Sequence, residues 1–100
     1  MIWFCARLHF RAVVGEAPGD RDLHEVSFRL LRARDEEDAA ARAEALGRVE
    51  EHEYANEQGQ AVRWRLVRVL DVQSLDETAI FDGVEVYSRL EVGPGGWASD

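Results

Sequence analysis

The alternation of apolar and polar positions is clearest over residues 62–71, V-R-W-R-L-V-R-V-L-D, where Val62, Trp64 and Leu66 fall on one side and Arg63 and Arg65 on the other. A period of two is the mark of a strand with one buried face. Trp64 brings a large apolar surface to that face, and a buried indole N–H needs a partner. After Leu66 the phase slips, because Val67 and Val69 take over the apolar positions. One extra residue near Leu66 to Arg68, a β-bulge, accounts for such a slip. The other segments read as elements that pair with this strand or cover its apolar side.

A first strand is predicted over residues 2–14, with Phe4, Ala6, Leu8, Phe10, Ala12 and Val14 on one face and Trp3, Cys5, Arg7, His9, Arg11 and Val13 on the other. Residues 15–22, G-E-A-P-G-D-R-D, have turn-forming composition. A second strand follows over 24–32, with Val26, Phe28 and Leu30 toward the core and Glu25, Ser27, Arg29 and Leu31 away from it. Consecutive strands usually pair, so these two form a hairpin. Asp35 is placed to cap a helix whose first turn holds Glu36, Glu37 and Asp38, where the positive end of the helix dipole favours acids. Ala39, Ala43 and Leu46 recur at helical spacing beside Ala40, and Gly47 is expected to stop the helix. Such a narrow, small stripe predicts a helix lying close on a sheet. A weaker strand over 49–54 and the turn N-E-Q-G at 56–59 make a second hairpin with the 62–71 strand.

Further on, Ser74 is expected to cap a short helix ending near Phe81, with Glu77 in a capping box. Asp82-Gly83 is a turn. A last strand over 84–92 sets Val84, Val86, Ser88, Leu90 and Val92 against Glu85, Tyr87, Arg89 and Glu91. Residues 93–100, G-P-G-G-W-A-S-D, have the composition of a flexible tail. The order β-β-α-β-β-short α-β predicts the α+β class: a two-layer domain over residues 1–92, its mainly antiparallel sheet of about five strands carrying one main helix on one face.

Composition narrows the setting. A hydrophobic share of 46% with 32% charged residues is that of a globular domain. No apolar run approaches the ~18 residues of a membrane span. The opening M-I-W-F-C-A-R-L-H-F is interrupted by arginine and lacks a small-residue cleavage site, so it reads as a strand and not a signal peptide. Cys5, the single cysteine, has no partner for an internal disulfide, which together with the missing export signal predicts a reducing cytoplasm. The net charge of −8 is unevenly spread: +2 over residues 1–34, −7 over 35–59, +2 over 60–72 and −5 over 73–100. All 12 basic residues are arginine, each a planar fork suited to carboxylate or phosphate. The acidic total argues against non-specific nucleic-acid binding, while a local basic face stays available.

Three motifs carry a resemblance. The opening W-F-C-A-R-L (3–8), the middle E-H-E-Y-A-N-E-Q-G-Q-A-V-R-W (51–64), and the close L-D-V-Q-S-L (70–75) with D-G-V-E-V-Y-S-R (82–89) resemble a family of small bacterial proteins of about this length, known only as a domain of unknown function. The resemblance runs to about Leu90. It implies a free-standing bacterial cytoplasmic domain and transfers no catalytic residue.

Candidate chemistry is sparse. If the strand phases hold, Trp3, Arg7, His9, Arg11, Arg29, Arg63, Arg65, Tyr87 and Arg89 share the sheet face away from the helix, with Glu25 and Glu85 among them. Arginines interleaved with aromatics on an open sheet can hold an acidic protein or stack on single-stranded bases. Cross-strand ion pairs on a solvated face are the plainer reading. The partner-binding set taken forward is Trp3, Arg7, Arg11, Arg29, Arg63, Arg65, Tyr87 and Arg89. Glu50-Glu51-His52-Glu53 offers metal ligands by type, but neighbours on a strand point to opposite faces, so a solvated edge strand is preferred. Cys5 and His9 share a strand face four residues apart, roughly 13 Å at strand rise and too far for a nucleophile–base pair. The acidic helix with the 50–57 hairpin could cap a basic partner, although an ordinary polar helix face is the plainer account.

No catalytic, metal or cofactor site is assigned. The expectation is a non-enzymatic protein-binding module, an adaptor, an immunity-like protein or a self-associating homo-oligomer, with nucleic acid and membrane disfavoured. The alternative is a small enzyme or small-ligand-binding domain whose pocket draws on residues such as His52, Asp71 and Asp82.

Overall fold

Strands β1 (Ile2–Val14) and β2 (Leu23–Ala33), helix α1 (Glu36–Val49), and strands β3 (His52–Ala55) and β4 (Ala61–Ser74) follow in chain order in a computed structural model that describes residues 1–16, 22–75 and 82–83. The four strands form one antiparallel sheet in the order β2-β1-β4-β3. Two hairpins are thus joined along β1 and β4, and α1 lies on one face against β4, β2 and β1. The two-layer α+β plan stands, with four strands and one helix among the described residues. The expected strand over 84–92 lies outside those residues, as does most of the short helix. Ser74 itself closes β4.

The phase slip of β4 has the expected cause and a second one. Arg7 faces Asp71 and Leu8 faces Val69, so Leu70 is extra; His9 faces Arg68 and Phe10 faces Leu66, so Val67 is extra. These two bulges keep Leu66, Val69 and Val72 on the helix side, opposite Phe10, Leu8 and Ala6. Interrupted ladders leave backbone groups in need of partners. Leu66 finds them in side chains: its N–H donates to Glu51 Oε2 at 2.9 Å, and its carbonyl accepts from Arg48 Nη1 at 3.1 Å.

Asp35 caps α1 as its position predicts, accepting from the Asp38 N–H at 2.8 Å. The helix does not stop at Gly47. It runs on to Val49, and Gly47 is buried inside it with Ala39 and Ala43 on the same stripe. A Cβ built on Gly47 would lie 2.8 Å from Leu66 Cδ2 and 3.0 Å from Cδ1. The glycine therefore serves close approach to the sheet. The core fills the gap with Ala6, Leu8, Phe10, Ala43 and Leu66 in one cluster and Phe4, Ala33 and Ala39 in a second, bridged by Leu31 and Val72. Trp64 lies on this side too, but half-buried at the margin.

Strand β2 is turned over relative to the expectation. Its register sets Leu31 opposite Phe4, Arg29 opposite Ala6, Ser27 opposite Leu8 and Glu25 opposite Phe10, so these residues share the helix side. Val26, Phe28 and Leu30 point outward, opposite His9, Arg7 and Cys5. A slip of one residue moves every side chain to the other face. Here Leu31 and Ala33, which close against Phe4 and Ala39, decide the phase.

Candidate interaction face

On the face away from α1, Trp3 stands opposite Arg32, Arg7 between Phe28 and Asp71, His9 between Val26 and Arg68, and Arg11 between His24 and Arg65, with Arg63 opposite Val13. The structure thus brings together Trp3, Arg7, Arg11, Arg63 and Arg65 of the sequence-derived set. It separates Arg29, which the inverted phase of β2 carries to the helix side. There its guanidinium binds Glu50, the C-cap of α1, with Nη1–Oε2 and Nη2–Oε1 at 2.5 and 2.6 Å. Glu25 moves with it. Tyr87, Arg89 and Glu85 lie outside the described residues.

The face is less open than an array of solvated arginines would be. Cys5 is fully buried on it and Arg7 is only 3% exposed. Arg7 grips Asp71 as a fork, Nε reaching Oδ2 at 3.1 Å and Nη2 the same oxygen at 2.6 Å, with Oδ1 at 3.2 Å from Nε. A buried guanidinium requires such a counter-charge. Burial pushes the Cys5 thiol up from its ordinary value, the Asp71 charge adds to this, and Arg7 opposes it. A thiol buried and raised in this way is the less reactive kind. Arg11 holds Asp22 through Nη2 and Nε at 2.5 and 2.8 Å. Arg63 donates to the Gly15 carbonyl at 2.7 Å and Arg65 to that of Trp64 at 2.9 Å. The imidazoles of His9 and His24 meet at 2.9 Å between Nε2 and Nδ1. Most of the basic groups are therefore engaged in holding the fold.

Along β2 the face also presents apolar side chains. Phe28 is 49% and Leu30 42% exposed, next to half-buried Val26. Trp3 borders them, and the Arg32 guanidinium lies 5.5 Å from the centre of its ring, within cation–π range. Phe28, Leu30 and Arg32 were absent from the sequence-derived set. The signal that could have found them is the adjacent pair Leu30-Leu31, which makes both phases of the strand locally apolar.

The acidic run before β4 is structural in most of its members. Arg29 pulls the Glu50 carboxyl below its ordinary range, chiefly by hydrogen bonding. The Leu66 N–H does the same for Glu51, helped by Arg48. The His52 ring is held by Nδ1, which donates to the Glu50 carbonyl at 2.9 Å. Among the described residues no three His, Cys, Asp or Glu side chains converge as metal ligands would. A wide depression of about 580 Å³ lies between the first turn of α1 and the second bulge, floored by Val69, Leu70 and Val72 and rimmed by Glu36, Glu37 and Asp71. No helix among the described residues is long and apolar enough to cross a membrane.

Fold and face together define a small two-layer α+β domain, one helix on an antiparallel sheet, whose outer sheet face combines a buried ion pair with an exposed apolar edge. The chain belongs to the family described as domain of unknown function DUF4288, whose model matches residues 3–88. No curated protein and no solved structure matches it.

Proposed function

We propose that this is a non-enzymatic protein-binding module of the bacterial cytoplasm that takes its partner on the outer face of β2, around Phe28 and Leu30, with Trp3 and Arg32 at the margin. The observation that carries this reading is the exposure of two large apolar side chains side by side on an edge strand of the described sheet. Contiguous exposed apolar surface marks interaction sites. Aromatic residues and arginine are the types enriched in protein interfaces and their hot spots. In this reading Arg7 and Arg11 keep the face in shape, while Arg63 and Arg65 form a polar rim. A cytoplasmic setting accords with a lone buried thiol.

The test uses Phe28→Asp beside wild type, with mass by light scattering and capture from the native lysate, followed by reconstitution of any captured protein in pure form. The substitution should leave the melting temperature within a few degrees, because the ring is half-exposed, and should abolish a stoichiometric complex formed by wild type. A wild-type dimer that becomes monomeric would make the partner a second copy. An undiminished complex would refute the assignment of this face.

A further inference from the structure

On the other side of the sheet, past the C-terminal end of α1, lies a cavity of about 120 Å³ lined by Phe10, Glu25, Glu50, His52 and Trp64. Each of the four described strands contributes one of these side chains, and the helix C-cap contributes the fifth. Phe10 is a buried wall and Trp64 a half-buried one. The His52 ring lies nearly parallel to the Trp64 indole, 17° between planes at 6.5 Å, and to Tyr54, 18° at 5.9 Å. Because Nδ1 of His52 donates to a carbonyl, the neutral ring keeps Nε2 as an acceptor. The lining therefore offers two carboxylates, that of Glu50 already held by Arg29, together with an imidazole nitrogen and aromatic faces.

Charge points the same way. Glu50 sits at the negative end of the helix dipole, an unfavourable place for an acid, and among the described residues Arg29 is the one cation paired with it. Glu25 forms no ion pair among the described residues, although its charge is felt by Arg29. The site thus carries an excess negative charge walled by aromatic rings, the arrangement that attracts an organic cation. Its volume falls below the ~300 Å³ at which whole-ligand pockets begin, so it admits a head group and a short stem.

We propose that this cavity binds a primary alkylammonium group, its three N–H donors meeting Glu25, Glu50 and His52 Nε2 and its alkyl stem lying against Phe10 and Trp64. A quaternary ammonium has no N–H to donate to Glu25 or to His52 Nε2. The proposal does not rest on the protein-binding reading, since it concerns the opposite face of the sheet.

The test is a titration followed by two-dimensional amide NMR. Ethylammonium chloride and Nα-acetyl-lysine N-methylamide are added separately, with tetramethylammonium chloride and sodium chloride as controls at equal ionic strength. Ethylammonium should give saturable shifts at the Trp64 indole and at the Glu25 and His52 amides, and the two controls should not. Glu25→Gln, at an exposed position, should keep native dispersion and weaken binding by about tenfold, as loss of one charge-assisted hydrogen bond implies. Equal or tighter binding of the lysine derivative would identify the natural source as a lysine side chain of a macromolecule. Binding of ethylammonium alone would identify a free small amine. Shifts that never saturate, that sodium reproduces, or that Glu25→Gln leaves unchanged would overturn the proposal.

Discussion

Replacing Gly47 by alanine sets two effects of similar size against each other, and the structure decides the sign. Glycine inside a helix costs about 1 kcal/mol relative to alanine, so helix propensity alone predicts stabilisation. The new methyl, however, would meet Leu66 Cδ2, Cδ1 and Cγ at 2.8, 3.0 and 3.2 Å. Leu66 is buried in the main cluster, so its branch end cannot swing into solvent. Overpacking of this kind costs about 1–3 kcal/mol. The net expectation for Gly47→Ala is a loss of about 1 kcal/mol, which lowers the melting temperature of a domain of this size by about 4–8 °C. Leu66→Ala alone should cost about 2–5 kcal/mol through the cavity it leaves. It also deletes the atoms that crowd position 47. In that background Gly47→Ala should therefore stabilise, by the ~1 kcal/mol of propensity. Urea unfolding of the four proteins in this cycle measures the coupling, expected near 2 kcal/mol. Stabilisation of the wild type by the full propensity gain, or additivity across the cycle, would refute the close approach of helix and sheet.

Two other expectations concern charge. Asp71→Asn removes the carboxylate that forks onto the buried Arg7 and should cost about 3 kcal/mol, the low end for a broken buried pair because Asp71 itself is one-third exposed; Arg7→Leu with Asp71→Leu should recover most of that loss in urea unfolding. The carboxyls of Glu50 and Glu51 are held below their ordinary 4.5, so the stability they contribute is present above about pH 4.5 and is lost as pH falls through their depressed folded-state values. Glu50→Gln should accordingly flatten the acid limb of a plot of stability against pH, and an unchanged limb would exclude the Arg29 pair as its source.

Local patterns were legible in the chain, and long-range ones were not. The strand over 2–14, the Asp35 cap, the 56–59 turn and the bulge at Val67 follow from alternation, capping chemistry and phase, all within a few residues. The face of β2 does not. Val26, Phe28 and Leu30 alternate as a core strand would, but α1 packs Ala39 against Leu31 and Ala33 and its C-cap Glu50 takes Arg29, so the helix selects the other phase. Arg7 read as solvated because its partner Asp71 is 64 residues away. Gly47 read as a stop because glycine ends many helices, and only the position of Leu66 reveals the second use. The cavity beside the helix C-cap was beyond reach for the same reason, since its five side chains come from five different elements.

The strand order carries a kinetic consequence. Each hairpin closes locally, β1 with β2 and β3 with β4, whereas the central β1–β4 ladder joins segments distant in the chain, from Val14 with Val62 to Phe4 with Ser74. Loop-closure entropy must be met before that ladder returns any contact energy. Contact order therefore predicts that closing the hairpins is the fast step and docking them edge to edge the slow one. Until it happens, the inner edges of β1 and β4 are both unpaired, and the same edges that build the sheet are the ones through which two unfinished chains can join.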